Sequence, residues 1–344
     1  MKAETLLPLG KLDPGLAAPE APLDLDAVSE QSKVAEQAGY HAILMEETKD
    51  DPFQVLTLAA AATEQVHVGT SVAIAFARSP FVTAQAAWTA QKISGGRFEL
   101  GLGSQVRGHI RRRFGMQWQA PGPWMRDYVN ALRAIWHSWQ SQTPLDFESE
   151  HYNLNLNVPL FTPAPIEHPH IPIQIAAVNP YMIGVAAEVA GGGRLHPVCS
   201  PKYISQVVMP KVRDATNFEV CLKPLIATAA TQDELSNRTK IARQRLAFYC
   251  STPSYSGAFD IFNMQDLCAE MAQLSKAGKW QALEEKVTDD LLHECVVVAP
   301  YDELAAKINE RYGELINRIE VSIPVETQAD KETLQAIINE LQTR

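Results

Sequence analysis

Residues 66–116 constrain the fold more than any other part of this 344-residue chain. They contain two apolar, strand-like runs joined by one helix-like stretch, which is the pattern of a β–α–β unit. Each run ends in glycine, serine or threonine rather than in bulky side chains. Small residues at the carboxyl ends of parallel strands let a ligand approach the backbone, so the segment predicts a cofactor site at that edge of a sheet.

Strand-like and helix-like segments alternate along the whole chain. Strands are predicted at residues 5–9, 40–46, 66–73, 97–102, 173–177, 193–197, 219–228 and 318–323. This alternation predicts an α/β fold, a (β/α)8 TIM barrel. The chain is expected to form a single domain over residues 1–344, with insertions at about 144–171 and 231–312. The alternative is a doubly wound open sheet, but no predicted strand runs into the G-x-G-x-x-G turn that such a sheet favours.

Composition excludes several classes of partner. The formal net charge of -10 gives no general electrostatic footprint for nucleic acid. No apolar run is long enough to span a bilayer, and the N-terminus has no secretory pattern. The five cysteines form no C-x-x-C pair, so buried reduced thiols in a cytoplasmic protein are expected.

The predicted strand ends carry small and polar residues with few titratable groups. Such a ring suits a bound cofactor better than a hydrolytic site, which would need a nucleophile–base pair or a metal cluster. No metal site is predicted. Glu46 and Glu47 follow the second strand, and either could exchange protons if burial raised its pKa. The alternative is a structural carboxylate paired with an arginine on a neighbouring strand.

Several motifs resemble those of the bacterial luciferase-like monooxygenase superfamily. They are GTSVAIAFARSPFVTAQ, SGGRFELGLGSQ and IAAVNPYMIGVAAEVAGG. The segments EETKDDPF, AFYCSTPSYSG and GKWQAL are most similar to the branch of probable coenzyme F420-dependent oxidoreductases. The similarity covers about residues 20–325.

This resemblance implies a flavin or deazaflavin lying over the carboxyl ends of the strands, and it implies a nonprolyl cis peptide at Ser71–Val72 beneath the ring. It marks two sets of residues. The catalytic candidates are Glu46, Glu47 and Thr48, and the cofactor-binding candidates are Ser71, Val72, Ala73, Ser104, Gln105, Ala177, Val178, Asn179, Pro180 and His196. Asn179 is also a natural helix N-cap, and a cap alone would explain it. His196 could contact the cofactor or substrate, or be a packed structural residue.

The chain departs from the resemblance at two places. Deazaflavin-dependent dehydrogenases of the superfamily carry a histidine at the end of the second strand, where this chain has Thr48, so a histidine acid–base role does not transfer. Relatives usually show G-D-G where this chain has residues 191–193 as three glycines.

Three further groups are open to more than one interpretation. The basic residues between Arg107 and Arg113 could capture an anionic cofactor tail, or form a solvated helix face or a subunit contact. Met45, Phe76 and Phe81 are candidates for an apolar substrate pocket. A lid could be formed by residues of the second insertion, namely Tyr249, Tyr255, Phe259 and Trp280.

The sequence therefore predicts an oxidoreductase that moves a hydride between coenzyme F420 and a small organic substrate. F420 is preferred to FMN on the branch resemblance alone. The alternatives are an FMN-dependent monooxygenase and a non-catalytic flavin-binding barrel. A homodimer is expected because the superfamily commonly dimerises.

Overall fold

Eight parallel strands close into a barrel, as predicted. The structure is a computed structural model that describes residues 1–11, 13, 15–16 and 22–343. The barrel strands within these residues are β1 (Lys2–Leu6), β2 (Ala42–Met45), β3 (His67–Thr70), β5 (Phe98–Gly103), β8 (Ile173–Ala177), β9 (Gly192–Leu195), β10 (Glu219–Leu222) and β13 (Arg318–Glu320). Their order around the barrel is β3-β2-β1-β13-β10-β9-β8-β5, and pairing of β3 with β5 closes the ring. The strand β4 (Ala73–Ile74) continues β3 and pairs with β5.

Helices cover the outside of the barrel and occupy the long insertion. They are α1 (Val28–Gln37), α2 (Pro52–Ala62), α3 (Pro80–Ile93), α4 (Arg107–Arg112), α5 (Pro121–Ser141), α6 (Pro180–Val189), α7 (Pro201–Tyr203), α8 (Met209–Val212), α9 (Gln232–Cys250), α10 (Gln265–Lys276), α11 (Trp280–Glu284), α12 (Asp289–Cys295), α13 (Tyr301–Tyr312) and α14 (Gln328–Thr343). Asp51, Ser79 and Asn179 cap α2, α3 and α6, and each of these helices begins with a proline. Proline at the first helical position has a suitable φ and no unsatisfied N–H, which explains these sharp starts.

The seventh predicted strand was wrong in one respect. Residues 219–228 form two strands, since β10 ends at Leu222 and β11 (Leu225–Ala229) leaves the barrel. Pro224 has no N–H to donate and separates the two strands. β11 pairs in parallel with β12 (Val296–Pro300), a strand that the sequence analysis missed within the second insertion.

The first insertion contains a short antiparallel hairpin of β6 (Phe147–Glu148) and β7 (Asn153–Leu154). The second insertion is largely helical and packs through α9 against β11 and β12. One domain with two insertions remains the prediction for the organisation of the whole chain.

The barrel interior holds a buried charged network instead of purely apolar layers. Arg318 donates to Glu4 at 3.0 Å and to Glu99 at 2.5 Å, and Arg194 donates to Glu4 at 3.1 Å. Glycines leave room for these side chains, since a Cβ on Gly69 would lie 3.2 Å from the Cβ of Glu99. Buried charges are tolerated only when they are paired, and these side chains are paired across strands that are distant in sequence.

The apolar core lies between the barrel and its helices. Trp88 and the three tryptophans of α5, which are Trp124, Trp136 and Trp139, are buried in it. All five cysteines are buried and unbonded to one another. None of the described helices combines the length and apolar character needed to cross a bilayer.

Candidate active site at the mouth of the barrel

A cavity of about 570 Å³ lies at the carboxyl ends of the barrel strands. That volume is within the range of small-molecule and cofactor sites. Every predicted site residue lines it except Ala73 and Pro180. Ala73 is buried in β4 beside the cavity, whereas Pro180 is exposed at the start of α6. The structure thus brings together residues from the ends of β2, β3, β5, β8 and β9.

The third strand breaks where it reaches the cavity. The peptide between Ser71 and Val72 is cis, which confirms the prediction, and the chain resumes as β4. Thr70 bridges the break, because its hydroxyl donates to the carbonyl of Gly101 at 2.6 Å and accepts from the N–H of Gly101 at 2.9 Å. A Cβ on Gly101 would lie 2.0 Å from the Thr70 carbonyl oxygen, so only glycine fits beside the break.

Glu47 fastens the far side of this break. Its Oε2 accepts from the N–H of Ile74 at 2.7 Å and from Arg78 at 2.6 Å. Arg78 also donates to Asp51, the cap of α2, at 2.9 Å. Glu47 is therefore a carboxylate held in an ion pair, which was the alternative to a role in proton exchange. Its partner Arg78 lies in the turn after β4 and not on a neighbouring strand.

Glu46 lies in a different cluster of charged residues, which the sequence analysis missed. The cluster consists of Glu46, Glu320, Lys11 and Lys223. Lys223 at the end of β10 contacts Glu46 at 2.9 Å and Glu320 at 3.2 Å, and Lys11 contacts Glu46 at 3.2 Å. Burial alone would raise the pKa of Glu46, but the two lysine ammonium groups outweigh it and lower the pKa below its usual value. Burial raises the pKa of Glu320 above its usual value, although Lys223 opposes the shift.

A second, smaller cavity adjoins the first at this cluster. It measures about 280 Å³ and shares Glu46, Lys223 and Tyr249 with the larger cavity, while Glu320 lines only the smaller one. Lys223 went unnoticed because the predicted seventh strand ran through it. The signal that could have revealed it was Pro224, because a proline inside a strand pattern indicates the end of a strand and would have placed Lys223 at that end.

His196 is held as a neutral imidazole beside the cavity. Burial, reinforced by Lys223, lowers its pKa to about 3. Its ring stacks on Tyr255 with centroids 4.1 Å apart and meets the edge of Tyr249 at 4.8 Å. Nδ1 accepts from the N–H of Val198 at 3.3 Å, which assigns the single proton to Nε2. His196 can therefore donate a hydrogen bond to a ligand, but it cannot act as an acid near neutral pH.

The remaining predicted contacts provide neutral hydrogen-bonding groups. Gln105 has a φ of 53°, and its side chain accepts from the N–H of Val106. Asn179 accepts from the N–H of Met182 at 2.9 Å, which confirms its role as the cap of α6. Ser104 and Val178 line the cavity close to these two turns. Neutral donors around two loop–helix junctions suit the phosphate-bearing tail of a cofactor.

Two other sequence predictions, the lid and the apolar substrate pocket, have different outcomes. Tyr249 and Tyr255 line the cavity, whereas Phe259 is fully buried and Trp280 lies at a separate surface site. The predicted apolar pocket was wrong, because none of Met45, Phe76 and Phe81 lines the cavity. Met45 and Phe76 are buried core residues, Phe76 stacks on Trp124 at 3.7 Å, and Phe81 packs against Trp139.

The basic segment forms α4, directly after the loop of Ser104 and Gln105. Arg107, Arg111, Arg112 and Arg113 are exposed. Arg113 donates to the carbonyl of Thr48 at 2.8 Å and so connects this helix to the end of β2. The exposed arginines therefore begin one residue beyond Val106, which lines the cavity, although none of them lines it.

Comparisons with known proteins agree with this architecture. The family model described as luciferase-like monooxygenase matches residues 7–318. An uncharacterized protein of Mycobacterium tuberculosis is 36% identical over 327 residues, covering 93% of this chain and 95% of the relative. The coenzyme F420-dependent tetrahydromethanopterin reductase of Methanopyrus kandleri has a TM-score of 0.74 at 16% identity, covering 99% of this chain and 98% of that one.

A flavin-containing structure is also similar. It is a type II Baeyer–Villiger monooxygenase, the oxygenating constituent of 3,6-diketocamphane monooxygenase of Pseudomonas putida, in complex with FMN. Its TM-score is 0.66 at 14% identity, and the match covers 100% of this chain and 98% of that one. At such identities the two structural matches bear on the fold alone. The family match and the mycobacterial relative together show that this chain belongs to the luciferase-like monooxygenase family.

Proposed function

We propose that this protein is an oxidoreductase that binds coenzyme F420 in the larger cavity and exchanges a hydride with a small organic substrate. The observation that supports it most is the cavity at the strand ends, with the broken third strand on one side and neutral hydrogen-bonding residues around it. When bound, the deazaflavin would supply a hydride donor or acceptor. The protein would supply orientation, hydrogen bonds and exclusion of water.

Each wall of the cavity has a proposed part in binding. The backbone at Ser71, Val72 and Ala73 would support the ring. Ser104, Gln105, Ala177, Val178, Asn179 and Pro180 would surround the tail. His196 would donate from Nε2 to the ring edge or to the substrate, since Nδ1 is already occupied.

The exposed arginines of α4 favour F420 over FMN. F420 carries a phosphate and glutamates, whereas FMN carries one phosphate, so a row of cations leading out of the cavity suits the longer anionic tail. Arg107 and Arg111 form no hydrogen bond or ion pair with the rest of the described chain, and both remain available to a ligand.

The cluster of Glu46, Glu320, Lys11 and Lys223 between the two cavities would carry out proton transfer. We place Glu320 as the proton donor or acceptor, because burial raises its pKa above the usual value and it contacts Lys223, which lines both cavities, at 3.2 Å. Glu46 would stay ionised and hold Lys223. Of the other catalytic candidates, Glu47 would position the broken strand through Arg78, and Thr48 would shape the rim.

A homodimer in the cytoplasm completes the proposal. Leu58 on α2 and Val82 and Ile93 on α3 expose large apolar side chains on neighbouring barrel helices. Such side chains mark a candidate association surface. Light scattering on the purified protein should give twice the monomer mass, and Val82→Glu should shift it towards the monomer.

The cofactor assignment is tested by fluorescence titration of the purified protein with F420 and with FMN. We expect F420 to bind more tightly, and Arg107→Gln combined with Arg111→Gln should weaken F420 binding several-fold in low salt. Added salt should shrink that difference, because exposed charges are screened. Arg213→Gln is the matched control, since Arg213 is an exposed arginine on another face. Tight FMN binding without F420 binding would favour the monooxygenase alternative, and binding of neither would refute the proposal.

Turnover is tested separately with reduced and oxidised F420 and a panel of alcohols, aldehydes and ketones. Glu320→Gln should lower kcat by about 10²-fold or more, as expected on loss of a general acid or base, with little change in cofactor affinity. Glu47→Gln should lower both kcat and cofactor affinity if it positions the broken strand. Unchanged kcat in Glu320→Gln would remove that residue from the mechanism.

A further inference from the structure

Three potential metal ligands meet at the opposite end of the barrel from the cofactor cavity. His41 immediately precedes β2, His67 is the first residue of β3, and Glu99 is the second residue of β5. These strands are neighbours: the N–H of His67 bonds the carbonyl of His41 at 3.0 Å, and Gly69 lies opposite Glu99. The sequence analysis predicted no metal site because the three residues are far apart in the chain and match no ligand spacing.

The distances between the ligand atoms are close to those of a coordination sphere. Nδ1 of His67 lies 3.0 Å from Oε1 of Glu99, and Nε2 of His41 lies 3.9 Å from the same oxygen. The three ligand atoms all lie within 4.8 Å of one another. Tetrahedral zinc with bonds of about 2.0–2.1 Å places its ligands about 3.3 Å apart. The two imidazole rings are stacked with centroids 4.7 Å apart, so both rings must rotate to direct their nitrogens at one ion.

The carboxylate is already oriented for such a role. Arg318 and Gln174 donate to Oε2 of Glu99 at 2.5 and 3.3 Å, which leaves Oε1 facing the two histidines. This resembles the outer partners that fix the ligands of known metal centres. Nε2 of His41 is buried and has no hydrogen-bond partner among the described residues. A buried polar atom without a partner calls for an explanation, and an ion would supply one.

We propose that His41, His67 and Glu99 bind one divalent cation of the zinc class, with water as the fourth ligand. Two imidazoles and one carboxylate suit zinc rather than magnesium or calcium, which prefer oxygen ligands. The side chains of His41 and His67 are 20% and 37% exposed, although their ligand nitrogens are buried, so the two rings must shift to admit the ion and its water. Arg318 behind the carboxylate opposes a second positive charge, and we therefore expect affinity on the order of micromolar rather than the tighter binding of closed zinc sites.

The ion would stabilise the barrel rather than take part in the proposed reaction. It would join β2, β3 and β5, and the pairing of β3 with β5 is the one that closes the ring. In barrels of this type the amino-terminal face serves stability, while chemistry takes place at the carboxyl-terminal face. The proposal is thus independent of which cofactor the protein uses.

Metal titration of the chelator-stripped full chain tests the proposal. Zn²⁺ in competition with a chromophoric chelator should show one site per chain, and Co²⁺ should give the absorption bands of a tetrahedral ion. His41→Gln and His67→Gln should each weaken binding at least ~10-fold, the lower limit for loss of a second-shell partner. His137→Gln is the matched control, because His137 is an exposed histidine elsewhere on the barrel. Zinc should raise the Tm of the wild type and of the control, but not of the two site variants.

The following results would overturn the proposal. One is the absence of stoichiometric Zn²⁺ or Co²⁺ binding by the wild type at micromolar concentrations. The other is binding by His41→Gln and His67→Gln that is as tight as that of the wild type and of the control. If the site variants do not fold, anomalous scattering at the zinc edge from wild-type crystals decides, since the peak must lie between His41, His67 and Glu99. F420 titration of the same wild-type sample, with and without zinc, distinguishes failure of this site from failure of the proposed function.

Discussion

Replacement of Arg318 by methionine should destabilise the barrel strongly, and the structure gives the reason. Arg318 is 5% exposed and contacts three carboxylates, those of Glu4, Glu99 and Glu219. Glu4 would keep Arg194 as a partner, whereas Glu99 would lose its only arginine and keep Gln174 and the two imidazoles of His41 and His67. Loss of one partner from a buried ion pair costs about 3–5 kcal/mol, and we expect Arg318→Met to lower the free energy of unfolding by that amount at pH 8.

The cost should depend on pH in a defined direction. The folded-state pKa of Glu99 is depressed in the wild type, so its stabilisation is present above the unfolded-state pKa and is lost as pH falls. Without Arg318 the carboxyl group can be protonated more easily, and the difference between variant and wild type should shrink below about pH 5. Denaturant unfolding followed by circular dichroism at pH 8 and pH 4.5 measures both values.

A double variant provides the control. The double variant Arg318→Met with Glu99→Gln removes the unpaired carboxylate of Glu99 as well as the arginine, so it should be more stable at pH 8 than Arg318→Met alone. A cost below ~1 kcal/mol for the single variant would show that the network contributes little. A double variant as unstable as the single one would show that lost packing, and not the unpaired carboxylate, causes the effect.

Three further predictions concern the mouth of the barrel. Gly101→Ala should destabilise the fold by several kcal/mol, because its Cβ would lie 2.0 Å from a carbonyl oxygen, whereas Gly184→Ala in α6 has open space and should be neutral or stabilising in the same melts. His196 has a folded-state pKa of about 3, so the wild type should lose stability as pH falls from 6.5 towards 3, and His196→Phe should lose about 1–3 kcal/mol less by pH 4 in denaturant titrations. Tyr255→Ala removes the ring stacked on His196 and should weaken cofactor binding in fluorescence titrations, while Tyr301→Ala, away from the cavity, should leave it unchanged.

The positions at the strand ends were predictable because backbone geometry determines them. Ser71, Ser104 and Val178 follow apolar runs that could only be buried parallel strands, and such strands end at one edge. The partners of Glu46 and Glu47 were not predictable, since Lys223 and Arg78 become neighbours only when the barrel closes. Sequence periodicity reports which face a residue occupies, but it carries no information on which charge lies opposite.

The interior network also could not be read from the sequence, although it connects the two ends of the barrel. It runs through contacts of 3.4 Å or less, in the order His67, Glu99, Arg318, Glu4, Arg194 and Ser71. Arg194 shares Glu4 with Arg318, lines the cofactor cavity, and has a buried Nε without a hydrogen-bond partner among the described residues. Glu4 offsets its charge, and the network as a whole pairs two arginines with the carboxylates of Glu4, Glu99 and Glu219. Because this network reaches the cofactor cavity through Arg194, substitutions within it would be expected to affect both the stability of the barrel and the proposed cofactor binding.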